Sequence, residues 1–293
     1  MERSGSSGMS IPRRAGLVAA IVLLLGALAS ADDKAADARD LIGEVKAHEE
    51  VVAQHCRDKA YPEMSKDIKK ALAIYESIAD HADAKKAKGR LVKLVGNLCR
   101  KIKKDDVRKT ALATLAKMHH PDCAKYVKGF LHPAKGNKLP PMINEAMAAA
   151  GALGHDSLVL PLLKIVENSK NLGVAARAVT ALGKFRDSAF SRRKKILLDL
   201  TDTLMKDMPG GPSQGKENRQ TGDYIPGKSG HGGSARYATL APLIPQALNE
   251  LTGQEFQTLE EWMRVVSEQK RNLQDLFLER DEEEKEKKDK KRA

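Results

Sequence analysis

A chain of 293 residues with 41% hydrophobic and 31% charged side chains has enough apolar material for one large core or two modest ones. That balance excludes a disordered chain and a multi-span membrane protein, and three cysteines are too few for a disulfide scaffold. The formal net charge of +12 points to anionic partners, while aromatics at 4% and abundant Ala, Leu, Lys and Glu predict an all-α protein.

Residues 1–31 read as a secretory signal peptide. Arg13 and Arg14 precede an apolar run from Leu17 to Leu28, followed by the small residues Ala29, Ser30 and Ala31. The run is shorter than the about 20 residues of a membrane span, so cleavage is expected, with a periplasmic or secreted product and membrane contact only through an uncleaved leader. No cysteine follows the small residues, which removes a lipoprotein anchor.

Residues 32–105 form an N-terminal helical region. Ile68, Leu72, Tyr75 and Ile78 stripe one predicted helix, and Leu91, Leu94, Val95 and Leu98 another. The second carries the basic run "KKAKGRLVKLVGNLCRKIKK" at 85–104, and a further cluster, "RRKK", lies at 192–195. Lys85, Lys86, Lys88, Arg90 and Lys93, with Arg192, Arg193, Lys194 and Lys195, are the candidate partner-binding cations. Export removes nucleic acid as a partner and leaves acidic proteins or anionic envelope material.

Cys56, Cys99 and Cys123 allow at most one internal disulfide, and their pairing is open. His55-Cys56 and His119-His120-x-x-Cys123 fall short of four ligands, so no metal site is expected.

From 106 to 208 the chain repeats. "TALATLAKMHH" from Thr110, "EAMAAAGALGH" from Glu145 and "RAVTALGKFRD" from Arg177 bring Ala111, Ala146 and Ala178 into register. Leu115, Ala150 and Leu182 then coincide, as do Met118, Leu153 and Phe185. A second amphipathic segment follows each: "CAKYVKGFL", "SLVLPLLKIVE" and "RRKKILLDLTDTLM", with Asp122, Asp156 and Ser191 predicted as N-caps. These residues, above all "AVTALGKFRD" at 178–187, resemble HEAT-type repeats of exported bacterial proteins. The resemblance covers 107–131, 142–168 and 174–206 and implies an α-solenoid of stacked helical hairpins, with the upstream helices as its cap.

Residues 209–235 are a Gly/Pro-rich loop. Within it Gly222, Gly227, Lys228 and Ser229 satisfy the phosphate-loop spacing. That motif works only between a buried strand and a helix; here a polar stretch precedes it, Gly230, Gly232 and Gly233 follow it, and Pro226 deletes a loop amide. The reading is a flexible insertion, with Tyr224 and Ile225 as a candidate docking point.

Capping helices are expected over 236–278. Pro242 and Pro245 lie near the start of one, Gly253 stops it, and a capping box runs from Thr258 to Glu261. Trp262, Val266, Leu273 and Phe277 share one side of the next, and "LNELTGQEFQTLEEW" resembles a segment that closes HEAT-like arrays. The tail, 279–293, carries seven acids and seven bases.

No catalytic set converges in the sequence, and no cofactor is expected. The leading function is therefore a non-enzymatic scaffold that binds another protein, which is also what the resemblance implies. The alternatives are a binder of anionic envelope material through the basic clusters, and a nucleotide-binding or bilin-lyase-type enzyme.

Overall fold

The computed structural model describes residues 42–78, 82–132, 140–208, 216–217, 224–225, 233–268, 273 and 277. The leader, most of the Gly/Pro-rich loop and the tail lie outside these residues. Among those described the chain is helical apart from one two-residue antiparallel ladder.

Helix α1 occupies 42–57, α2 Tyr61–Ser77 and α3 Ala82–Lys101. Then come α4 (Asp105–Met118), α5 (Cys123–Lys128) and α6 (Ile143–Leu153). A 3-10 turn at Asp156–Leu158 leads into α7 (Val159–Asn168), followed by α8 (Leu172–Gly183) and α9 (Phe190–Asp207). The ladder pairs β1 (Lys216–Glu217) with β2 (Tyr224–Ile225). The helices α10 (Gly233–Leu240), α11 (Leu243–Thr252) and α12 (Leu259–Glu268) follow.

The packing has a regular order. Helix α2 lies against α4, α4 against α6, α6 against α8 and α8 against α11, so alternate helices make one continuous row. On the other side α3 touches α5, and α7 touches α9. The aligned alanines Ala111, Ala146 and Ala178 are all fully buried, and small residues sit where helices of the row approach closely, Gly151 against Ala181 and Gly183 against Ala247. Leu115, Ala150, Leu182, Met118 and Phe185 are buried as well, whereas Leu153, at the end of α6, is only half-buried.

One feature of the packing departs from the hairpins read in the sequence. Helices α5 and α7 lean more extensively on the first helix of the following unit, α6 and α8, than on the one preceding them. Apolar spacing specifies which face of a helix is buried but not which neighbour buries it.

The predicted caps fared unevenly. Asp122 stands at the N-cap of α5 without a side-chain hydrogen bond, and Ala189 rather than Ser191 precedes α9. Ahead of the 3-10 turn it is His155, not Asp156, whose ring Nδ1 accepts from the Ser157 N–H at 3.2 Å. Asn171 caps α8 through its Oδ1, which accepts from the Val174 N–H at 3.2 Å. The capping box of α12 is present: Thr258 Oγ1 accepts from the Glu261 N–H at 3.2 Å, and Glu261 Oε2 accepts from the Thr258 N–H at 3.2 Å. Gly253 ends α11 at φ 82°, a left-handed conformation that glycine adopts without cost.

Two glycines of α3 have opposite roles. A Cβ at Gly89 would meet nothing within 4 Å, while one at Gly96 would fall 2.5 Å from the buried ring of Tyr126 on α5. Gly89→Ala is therefore expected to stabilise the chain by about 0.5–1 kcal/mol through helix propensity. Gly96→Ala should destabilise it by about 1 kcal/mol or more, because overpacking outweighs that gain. Urea denaturation of the two variants measures both signs.

Candidate functional site

The two basic clusters have different fates. On α9, Arg193 is only 5% exposed, and its guanidinium lies 4.8 Å from the ring centre of Phe277. Phe277 packs edge-on against Phe190 at 5.4 Å, so its ring covers Arg193 on this side of α9. Lys195 pairs with Asp199 at 2.9 Å, and Arg192 and Lys194 are half-buried. Arg193 thus belongs to a covered face rather than a partner surface, since a phenylalanine 84 residues downstream closes over it.

On α3, Lys85, Lys86 and Lys93 are exposed, and Lys88 and Arg90 are half-buried. Lys88 lies over the ring of Tyr75 at 5.3 Å. Glu49, on α1, accepts two hydrogen bonds from Arg90, Nε to Oε1 at 3.2 Å and Nη2 to Oε2 at 2.5 Å. This fork fixes the guanidinium across the α1–α3 boundary. Beside it lies a cleft of about 500 Å³ lined by Glu49, Arg90, Lys93, Leu94 and Asn97.

At the other edge of α3 the side chains of Lys85 and Lys88 act on His120. Burial holds the His120 ring below its ordinary range, and Lys125, Lys85 and Lys88 add to that against Asp122. The lowered value favours the neutral imidazole near pH 7, so the charge of the patch comes from its lysines and arginines.

A second groove, also of about 500 Å³, runs between α10, α11 and the start of α12, with Tyr237, Pro242, Pro245, Asn249 and Phe256 on its walls. Asn249 organises that end. Its side chain accepts from Trp262 Nε1 at 3.1 Å and from the Phe256 N–H at 3.2 Å, and donates to the Phe256 carbonyl at 2.8 Å.

Tyr224 and Ile225 form β2, in register with Glu217 and Lys216 respectively. Gly222, Gly227, Lys228 and Ser229 lie outside the described residues, as does most of the loop. The segment before Gly227 therefore includes a two-residue antiparallel ladder, unlike the buried parallel strand that a phosphate loop follows.

Sequence reasoning did not find Arg236, which fastens the far side of the loop. It donates from Nε to Asp207 Oδ2 at 2.7 Å, from Nη1 to the Ser169 carbonyl at 2.8 Å, and from Nη2 to the carbonyl of Val166. A guanidinium at these carbonyls satisfies the C-terminal end of α7. The partners are up to 70 residues away in sequence, so spacing carries no trace of them. Asp207 and Arg236 flank the loop, and their ion pair closes its base.

His55 Nδ1 sits 2.6 Å from Asp67 Oδ2, and His48 Nε2 lies 3.0 Å from the Asp67 carbonyl, joining α1 to α2. Among the described residues no three His, Cys, Asp or Glu side chains are grouped to hold a metal ion. The three cysteines are free thiols, Cys99 and Cys123 buried and Cys56 half-buried. Burial pushes Cys99 up to about 12 and Cys123 to about 11, and burial with Asp67 also raises Cys56. A thiol reacts as the thiolate, which these upward shifts make scarce near neutral pH. A disulfide-exchange reagent at pH 8 is expected to label the native chain slowly, Cys56 first, and all three thiols rapidly in urea. Fast labelling of Cys99 in the native chain would contradict its burial.

No helix among the described residues is long and apolar enough to cross a membrane. In comparisons with known proteins, no family model matches the chain, and no curated protein and no solved structure matches it.

Proposed function

We propose that this chain is an exported, non-enzymatic HEAT-like scaffold that binds another protein through its helical surface. The observation that carries the reading is the continuous row α2, α4, α6, α8 and α11, in which the alanines aligned by the sequence repeat are all buried. Stacked helical units of this kind are α-solenoids, and they present long surfaces suited to macromolecules rather than enclosed pockets for small substrates. The two clefts are open, and neither groups an evident catalytic set among the described residues that line it. Export rests on Arg13, Arg14 and the apolar run that follows them.

The exposed basic face of α3 favours one second reading, a binder of anionic envelope material. Ionic strength separates the two, because purely charge-driven attachment weakens steeply with salt and an interface with an apolar centre does not.

The test is photo-crosslinking in cells, with the reactive residue placed at Lys93 on α3 and at the exposed Leu160 on α7. The proposal expects a defined protein adduct at one or both positions, identified by mass spectrometry and retained at high salt. Adducts to polymer alone would favour the second reading. Nucleotide turnover abolished by Lys228→Ala would overturn both.

A further inference from the structure

We propose that the exposed face of α3 is the docking site for an acidic polypeptide segment of the partner, with Lys86, Lys93, Arg100 and Lys101 as its cationic contacts. This rests on the scaffold reading and adds to it the place and the chemistry of the partner.

Lys86, Lys93 and Arg100 are exposed and follow one another at seven-residue steps, two turns of helix each. They therefore form a line along one side of α3, about 21 Å from first to last at about 1.5 Å per residue. Lys101 lies beside the last of them and is exposed too. The stretch 85–104 holds nine cations and no acid.

Some cations elsewhere pair along their own helix, while others, such as Lys164, Lys170 and Lys206, are exposed without a carboxylate partner among the described residues; α3 is set apart by its density of cations and its lack of an acid from 85 to 104. Lys66 pairs with Glu63, Lys125 with Asp122 and Lys195 with Asp199, each partner three or four residues away on the same face. Among the described residues, none of Lys86, Lys93, Arg100 and Lys101 has a carboxylate within ion-pair distance. Lys86 and Arg90 are four residues apart, Arg90 and Lys93 three, so like charges face each other along the helix. Lys85 and Lys86 also stand in the first turn of α3, at the positive end of its dipole. The like-charge neighbours and the two lysines of the first turn are mildly unfavourable to the helix, offset at Arg90 by Glu49, whereas Arg100 and Lys101 sit in the last turn, where cations suit the dipole. Among the described residues no carboxylate answers Lys86 or Lys93, and an anionic partner would do so.

The cleft beside the stripe favours a peptide over a phosphate polymer. Asn97 offers a donor and an acceptor on one side chain, which matches a peptide group, and Leu94 gives an apolar contact. Arg90, the group best shaped to grip phosphate, is already forked onto Glu49, and that carboxylate lines the same cleft. The charge left for a ligand is then mostly that of lysine ammonium groups beside an amide and a leucine.

Fluorescence anisotropy tests the proposal with a labelled twelve-residue peptide carrying glutamate at every third position and leucine between. The proteins are the full chain, the triple reversal Lys86→Glu/Lys93→Glu/Arg100→Glu, and a control reversal Lys164→Glu/Lys170→Glu/Lys206→Glu at exposed cations off this face. Both variants change the net charge equally. The proposal expects at least tenfold weaker binding for the α3 variant, less than twofold for the control, and a several-fold loss for Asn97→Ala with Leu94→Ala. Inorganic polyphosphate at equal charge should not displace the peptide. Equal losses in the two reversals would reduce the effect to net charge and overturn the proposal, as would displacement by polyphosphate. Tighter binding of a labelled peptide of residues 279–286, the acidic part of the chain's own tail, would transfer the surface to a second copy of the protein. Thermal melts check folding: relief of like charge around Lys86 is offset by loss of Arg100 from the last turn, so the α3 variant should melt within a few degrees of the parent. Should the stripe fail while cellular adducts at Leu160 persist, the scaffold reading stands and only this docking site falls.

Discussion

Trp262→Ala is expected to cost about 3–5 kcal/mol, the largest single loss in this molecule. The ring is fully buried, and Phe256 meets it edge-on at 4.8 Å with an interplanar angle of 85°. Its indole N–H donates to Asn249 Oδ1, the atom that also accepts from the Phe256 backbone. Truncation therefore opens a cavity and removes a donor from the side chain that holds the α11–α12 connection. Trp262→Phe keeps much of the buried area but not the hydrogen bond, so its loss should be smaller, about 1–3 kcal/mol. Urea titration followed by circular dichroism reads both. A loss under about 1 kcal/mol for Trp262→Ala would mean that the C-terminal helices contribute little to the cooperative unit.

Gly183→Ala should destabilise the chain by about 1–2 kcal/mol, although alanine is the better helix former by about 1 kcal/mol. A Cβ there would lie 2.9 Å from the Cα of Ala247 and 2.9 Å from Glu250 Oε2, with the Ala247 carbonyl at 3.1 Å. The obstacle is mainly backbone, so relief requires α11 to move away from α8 rather than a rotamer change. Gly151 is a milder case, 3.3 Å from the Ala181 backbone on the next helix of the row. Small residues thus recur where α6 meets α8 and where α8 meets α11. Calorimetry of Gly183→Ala checks the sign, and a raised melting temperature would contradict the close approach.

The sequence made local and periodic features legible. The three aligned alanines are buried because a repeat in sequence is a repeat in environment, and the Thr258–Glu261 box forms because both its partners lie within one helical turn. Trp262, Val266, Leu273 and Phe277 are all buried, but α12 as described ends at Glu268, so only Trp262 and Val266 are shown on it. Pro242 and Pro245 do open α11, and the segment before them is a separate helix, α10, since proline removes the hydrogen bonds that would join the two.

What the sequence hid depends on distant contacts. Arg193 reads as a surface cation until Phe277 is placed over it, and Arg90 reads as free until Glu49, 41 residues earlier, reaches it. Arg236 has no signal at all, because its ligands are main-chain carbonyls that any sequence would supply. The candidate site was half visible: the density of cations on α3 is plain in the sequence, but which of them stay exposed among the described residues follows only from the packing of the neighbouring helices.

An extended solenoid requires α4, α6 and α8 to lie side by side in sequence order. Ala113, Ala148 and Thr180 occupy equivalent places in the three repeats and are all exposed, so each accepts a spin label without disturbing a seam. Packed helices lie about 8–10 Å apart, so dipolar spectroscopy should give about 10 Å between labels at 113 and 148 and about 20 Å between 113 and 180. A 113–180 separation no longer than that of 113–148 would mean the helices close into a bundle, and the solenoid reading with its extended binding surface would be wrong.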